Sequence, residues 1–271
     1  MNRILPYMIV LGGIALLWAS DHYLGGYTYG IRAEKVRVTT IKQVLPVSDH
    51  YVRPILYTHL DGLASLPTEE AKRTFISAVL PAILVAKHEL SMFRLQLKRL
   101  EHTRHWDHAD SALFRSAVGR FKGGNMKELL SKIGTLPNSV ILAQAAVESG
   151  WGQSRIFLEG NNLFGIWSFN SNEPRIAAGE TRGKRTIWLR SYTDMSGSIV
   201  GYFDILSTSH AFHGLRKARG QTSDPFVLLP YLKNFSERRG AYTRQLKTVI
   251  QQNNLTRYDD FELDPEYLYE K

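Results

Sequence analysis

Leu136–Gly165 reads LPNSVILAQAAVESGWGQSRIFLEGNNLFG, and the reading of these thirty residues decides the fold. Pro137 suits the first turn of a helix, and Thr135 or Asn138 can cap it. Val140, Ile141, Ala145 and Val147 carry the helix to Gly150, a natural residue just past a helix end because it enters the left-handed region freely. The helix is apolar and Ala-rich on nearly every side, which predicts burial. Glu148 falls in its last turn. A carboxylate there faces the negative end of the helix dipole, and apolar packing disfavours its ionised form further. Both effects raise its pKa, as a general acid working near neutral pH requires. The competing reading is a Glu at an exposed helix end, paired with Arg155 or another arginine.

Upstream, helical periodicity begins at Thr68, a potential cap followed by Glu69 and Glu70, which complement the positive helix start. Phe75, Val79 and Leu80 form an apolar stripe, and Pro81 is expected to end this helix or open the next. Ile83, Leu84, Leu90, Phe93, Leu97 and Leu100 keep the spacing, with Lys and Arg opposite. Ser111–Phe121 and Met126–Ile133 read as two further short helices, split by Gly123 and Gly124. His102, His105 and His108 recur every three residues beside Asp107 and Asp110. That spacing drifts around a helix, so the preferred reading is a polar helix junction and not a metal site.

Ahead of this, Gly25–Pro67 is rich in Tyr, Thr, Val and Gly and reads as a spacer with one short strand around Val36–Ile41. Ile4–Ala19 is an uncharged run after Arg3, extended to Leu24, with Trp18, Tyr23 and Tyr27 placed for a head-group interface. A cleaved signal peptide is the main competitor, but cutting after Ala19 or Ser20 leaves Leu17 or Trp18 where a small residue is wanted. The expectation is therefore an uncleaved N-terminal transmembrane helix. Positive charge on its short side orients the body out of the cytoplasm, as a single-pass protein of the inner membrane with a periplasmic domain.

Composition narrows the chemistry. Among the 271 residues there is no cysteine, which rules out disulfides, thiolate metal sites and thiol catalysis. The net charge of +9 favours anionic partners. It is uneven: residues 257–271 hold six acidic and two basic side chains, which leaves +13 on residues 1–256. An extracytoplasmic body points that charge at cell-wall carboxylates and lipid head groups, not at nucleic acid.

The run AQAAVESGWGQSRI followed by GNNLFGIW resembles the signature of the bacterial glucosaminidases, glycoside hydrolase family 73, which includes autolysins and the flagellar-rod peptidoglycan hydrolase. The stretches AKRTFISAVLPAILVAKHEL, SHAFHGLRKARG and YLKNFS with AYTRQL resemble the Bax-type subgroup, so that the likeness spans about residues 68–256. It implies a mainly α (α+β), lysozyme-like helical domain with a small β-hairpin lobe and no cofactor. It implies an endo-β-N-acetylglucosaminidase acting on peptidoglycan glycan strands, with Glu148 as the catalytic acid. Ser149, Gly150, Trp151 and Gly152 would shape the turn beside it; Asn161, Asn162, Leu163, Phe164 and Gly165 would form a second wall of the groove. Trp151 and Trp167 offer flat faces for sugar rings and the Asn amides offer hydrogen bonds, although core packing is the competing role for both tryptophans.

Glycoside hydrolysis usually needs a second carboxylate, which this family carries on a hairpin after the N-L-F-G turn. Here that region offers Glu180, the preferred base, and Glu173; substrate assistance by the acetamido group is the alternative. The family's later tyrosines fall on Phe235, which lacks the hydroxyl, and on Tyr242, expected to present its phenol to substrate near Glu148. Two rivals stand beside hydrolysis: a lytic transglycosylase with Glu148 as sole acid and base, and a non-catalytic glycan-binding protein. The expected organisation is an anchor at 1–24, a spacer at 25–67, a helical subdomain at 68–134, a catalytic domain at 135–256 and an acidic tail at 257–271, in a monomer without bound metal.

Overall fold

Glu69 and Glu70 in the first turn and Lys98 and Arg99 in the last complement the dipole of one long helix, α1 (Thr68–Glu101). The computed structural model in which it lies describes residues 29–182 and 185–270, with backbone only for 180–182 and 185. Pro81 does not break α1, contrary to the local rule. Every residue from Phe75 to Ala86 is buried, and this packing on all sides outweighs the cost of about 3 kcal/mol for an interior proline. By length and composition α1 could cross a membrane, but most of its apolar window is covered by the protein itself, so it is a core helix. The expected transmembrane helix at 1–24 lies outside the described residues.

Shorter helices pack around this axis. In α2 (His108–Phe121), the Asp107 carboxylate caps the start by accepting from the Asp110 N–H at 2.8 Å. Asn125 caps α3 (Met126–Lys132) in the same way, accepting from the Glu128 N–H at 2.9 Å. The helix foreseen from the Pro137 stretch is α4 (Asn138–Ser149), entered from Pro137 without a side-chain cap of its own. Asn138, expected as a cap, is instead the first helical residue, and its Nδ2 donates to the Tyr258 carbonyl at 2.7 Å. The Ser139 N–H is taken up by Asp259 at 2.7 Å. After α4 come α5 (Arg155–Gly160), the hairpin β5 (Arg175–Arg182) and β6 (Arg185–Arg190), α6 (Met195–Thr208), α7 (His213–Arg219), α8 (Pro225–Leu228) and α9 (Gly240–Gln252). α1 packs on α4 and α6, and α9 packs on α4.

The remaining strands form two-stranded pairs. β1 (Tyr29–Ile31) runs antiparallel to β8 (Leu268–Glu270), and β3 (Tyr51–Val52) runs parallel to β7 (Glu262–Leu263). β2 (Glu34–Arg37) lies parallel to β4 (Ile55–Thr58). The segment read as a spacer with one strand thus supplies four strands and buries Val38, Val52, Ile55, Leu56, Tyr57, Leu60 and Leu63 in the core. The architecture is mostly helical with small sheets, and its apolar core is continuous from Val38 to Leu263. Among the described residues no three His, Asp or Glu stand together as a metal site; the His102 and His108 positions end α1 and begin α2.

Candidate active site

The chemistry centres on the end of α4. Gly150 leaves the helix in the left-handed region at φ 59°, as glycine does at no cost. Trp151 and Gly152 follow at φ 56° and 78°, so three consecutive residues turn the chain sharply away. Gly152 is required twice over: its φ is positive, and a Cβ would stand 2.8 Å from Leu63 Cδ1 and 2.9 Å from Phe75 Cδ2. Ser149 is buried and closes the turn, its Oγ donating to the Ala145 carbonyl at 2.6 Å and accepting from the Gly152 N–H at 2.9 Å. Trp151 is half-buried, edge-on to Phe75 at 5.6 Å between ring centres, with Lys72 Nζ 5.6 Å from its own ring centre.

Glu148 is half-buried in the last turn of α4. Burial raises its pKa above the ordinary carboxylate range, opposed by a hydrogen bond from Tyr242 and by the Arg238 guanidinium. Arg155, the partner foreseen for an exposed Glu148, pairs with Glu159 at 2.8 Å and donates to the Ala177 carbonyl at 2.6 Å, tying α5 to the hairpin. Tyr242 is fully buried near the start of α9, and its hydroxyl meets Glu148 itself, where substrate had been expected. Burial, reinforced by the Glu148 charge, raises the phenol's pKa, so it stays protonated and acts as a donor. Arg238 lies 5.7 Å from the Tyr242 ring centre. Phe235 stacks on Tyr242 at 6.2 Å and 12°, keeping the aromatic plane of the usual Tyr without its hydroxyl. Sequence reasoning missed Gln144 and Tyr202: Tyr202 donates to Gln144 Oε1, and Gln144 Nε2 donates to the Tyr242 hydroxyl at 2.9 Å. Gln144 sits one turn before Glu148, a spacing the sequence does display.

The N-L-F-G turn and the hairpin, expected as the second wall of a groove, are tied to each other by side-chain amides. Asn161, left-handed at φ 49°, ends α5, and its Nδ2 donates to the Tyr192 carbonyl at 2.9 Å. Asn162 Nδ2 donates to the Arg190 carbonyl at 2.9 Å and the Ile166 carbonyl at 3.1 Å, while its Oδ1 accepts from the Ile166 N–H at 3.0 Å. Both amides therefore face inward and stitch the turn to the hairpin. Phe164 is buried, stacked on Tyr202 at 4.4 Å. Trp167, 42% exposed, bridges to Leu189 as an added strand position, and Phe169, 85% exposed, lies 6.1 Å from it. That pair is the exposed aromatic surface of this wall; Phe169 carried no motif to reveal it.

Glu180 belongs to β5, inside the segment where pairing with β6 slips between Ala177 and Thr181; its side chain is not among those described. Such irregularities re-aim side chains and favour functional edges. Glu173 is held by Ser168 Oγ, which donates to it at 2.7 Å, and by Arg190 Nε at 3.3 Å. A half-buried carboxyl with a raised pKa and a phenol donor beside it can give up a proton near neutral pH and hold the resulting charge.

Part of the chain is similar to known proteins. Residues 123–255 match the glucosaminidase family, described as mannosyl-glycoprotein endo-beta-N-acetylglucosaminidase. Protein bax of Escherichia coli (strain K12) is 26% identical over 196 residues, which cover 67% of this chain and 69% of that protein. Among solved structures, the catalytic domain of the autolysin Auto from Listeria monocytogenes is similar at 22% identity and a TM-score of 0.40, covering 59% of this chain and 93% of its own. The glycoside hydrolase domain of Salmonella typhimurium FlgJ matches at 26% identity and a TM-score of 0.37, covering 52% and 87%. The helical domain built around Glu148 is that of a glycoside hydrolase. Residues 123–255, just under half of the chain, are the part that matches the glucosaminidase family.

Proposed function

We propose that this enzyme is a peptidoglycan hydrolase that cleaves at N-acetylglucosamine, with Glu148 as the general acid. The observation that carries the reading is the state of Glu148: at the end of a buried helix, with its pKa raised by burial and its carboxyl held by the Tyr242 phenol. A proton donor to the glycosidic oxygen needs that combination. Glu180 is proposed as the base or water-positioning group, supported by its place in the irregular stretch of β5, in the hairpin that follows the N-L-F-G turn. Trp167 and Phe169 are proposed as a platform for sugar rings, supported by their exposure on the same wall. Residues 1–24 are proposed to anchor the protein in the inner membrane with its body in the periplasm, supported by the uncharged run after Arg3.

One observation favours a second reading. Glu173 is engaged by Ser168 and Arg190, which suits a lytic transglycosylase with Glu148 acting alone. Digestion of purified sacculi separates the two, since anhydro products are lighter than hydrolytic ones by one water. For Glu148→Gln the expected result is a loss of about 10²–10⁴-fold in rate with the fold intact; digestion at the wild-type rate overturns the role of Glu148.

A further inference from the structure

Gln144 is fully buried, one helical turn before Glu148 on α4, and its amide stands between two equally buried phenols. An amide has one end that accepts and one that donates. Tyr202, from α6, donates to Oε1, which turns the NH₂ end toward Tyr242. Nε2 donates to the Tyr242 hydroxyl oxygen at 2.9 Å. That bond occupies a lone pair of the phenol and leaves its own proton for its other hydrogen-bond partner, the Glu148 carboxyl. We propose that Tyr202 and Gln144 are positioning residues, which fix the polarity of a buried chain Tyr202→Gln144→Tyr242→Glu148 so that Tyr242 always donates to the carboxyl.

The proposal deepens the reading of Glu148 as proton donor and rests on it. A donated hydrogen bond stabilises the carboxylate that remains once the proton has left, so it assists where charge develops. An accepting phenol would stabilise the neutral acid instead and oppose transfer. Solvent does not reach the first three groups of the chain, because Gln144, Tyr202 and Tyr242 are each 0% exposed. Removing the Tyr202 hydroxyl erases the difference between the two ends of the amide: when Gln144 reverses, Tyr242 donates to Oε1 and no longer to Glu148.

Facing Glu148 are Tyr242 from α9, Tyr202 from α6 through its field, and Arg238 from the loop before α9. Arg238 is unchanged in the variants below, so it shifts none of them relative to another. The test is a ¹³C NMR titration of the Glu148 carboxyl in the full chain, with its signal identified by its loss in Glu148→Gln. Tyr242→Phe is expected to raise the titration midpoint by about one pH unit, the worth of one hydrogen bond to a charged group. Tyr202→Phe is expected to raise it in the same direction, and the double variant no further than Tyr242→Phe alone. Gln144→Met, similar in length and apolar, removes the competing acceptor, so Tyr242 keeps donating to Glu148: the midpoint is expected to stay at the wild-type value, and Tyr202→Phe is expected not to raise it in that background, which covers the case in which Tyr202→Phe alone does not fold. A midpoint unmoved by Tyr202→Phe, or raised by Gln144→Met, overturns the proposal, as does a Tyr202→Phe, Tyr242→Phe double variant whose shift is the sum of the two. Because the readout is a titration, a wild-type protein unable to digest sacculi would count against the hydrolase reading and leave the chain of hydrogen bonds standing.

Discussion

Replacing Gly152 by alanine sets a methyl group 2.8 Å from Leu63 Cδ1, 2.9 Å from Phe75 Cδ2 and 3.2 Å from Phe157 Cε1, at a backbone φ of +78°. Leu63, Phe75 and Phe157 are buried, so none can swing aside into solvent. Two costs add. Placing a Cβ in the left-handed region costs about 1–2 kcal/mol, and forcing a methyl into a filled core about 1–3 kcal/mol more. Gly165 separates them: its φ is +61°, but a Cβ there meets nothing within 4 Å. Gly165→Ala is therefore expected to lose only the first term. In denaturant unfolding, Gly152→Ala should fall below the wild type by about 2–5 kcal/mol and Gly165→Ala by about 1–2 kcal/mol. Thermal midpoints should rank the same way, at about 2–4 °C per kcal/mol for a chain of this size. Equal losses in the two variants would refute the packing argument, since the backbone term would then suffice. Surviving Gly152→Ala protein should also lose activity beyond its loss of stability, because Trp151 and the end of α4 are held by the same turn.

Asp259→Ala strips the partner from the buried Ser139 N–H and Oγ, bonded to it at 2.7 and 2.8 Å. A loss of about 2 kcal/mol is expected from the urea midpoint, and an unchanged midpoint would show that Asp259 does not secure the start of α4. Trp167→Ala and Phe169→Ala should each weaken sacculus binding by about 2–10-fold in pull-down titrations, with little change in melting, as removal of an exposed aromatic platform implies. Binding as tight as the wild type's in both variants would remove the platform. Arg238 opposes the burial that raises the Glu148 pKa, so Arg238→Ala should raise that pKa further. An acid must be protonated to act, and the alkaline limb of the rate profile should then move to higher pH; movement to lower pH would contradict the assignment of Glu148 as donor.

How much could be read in advance depended on the distance over which each feature is decided. The end of α4 was legible because Gly150 and the apolar run before it act within a few residues. Pro81 misled, because its local cost is overridden by neighbours on all sides of α1, which no local pattern reveals. The Asn161 and Asn162 amides were expected to face sugars and in the fold bond the main chain: their residue type suits both, and only the folded hairpin decides. Tyr242 was placed near Glu148 by resemblance, yet the direction of its hydroxyl follows from Gln144 and Tyr202, which no pattern joined to it. The strands at 29–58 were nearly invisible. They are two to four residues long, too short for alternation to speak, and β1 and β3 have their partners beyond residue 261.

That last pairing sets an order in time. β2 and β4 can meet as soon as both have been made, whereas β1 must wait for β8 and β3 for β7. At about 5–20 residues per second, Tyr29 is synthesised roughly 10–50 seconds before its partner Glu270. Through that interval the edges of residues 29–58 stay open while the helical body around Glu148 can already assemble. Residues 262–270, made long after residues 29–52, are thus the ones that close them, and a chain truncated before residue 262 would leave both edge strands open to other chains.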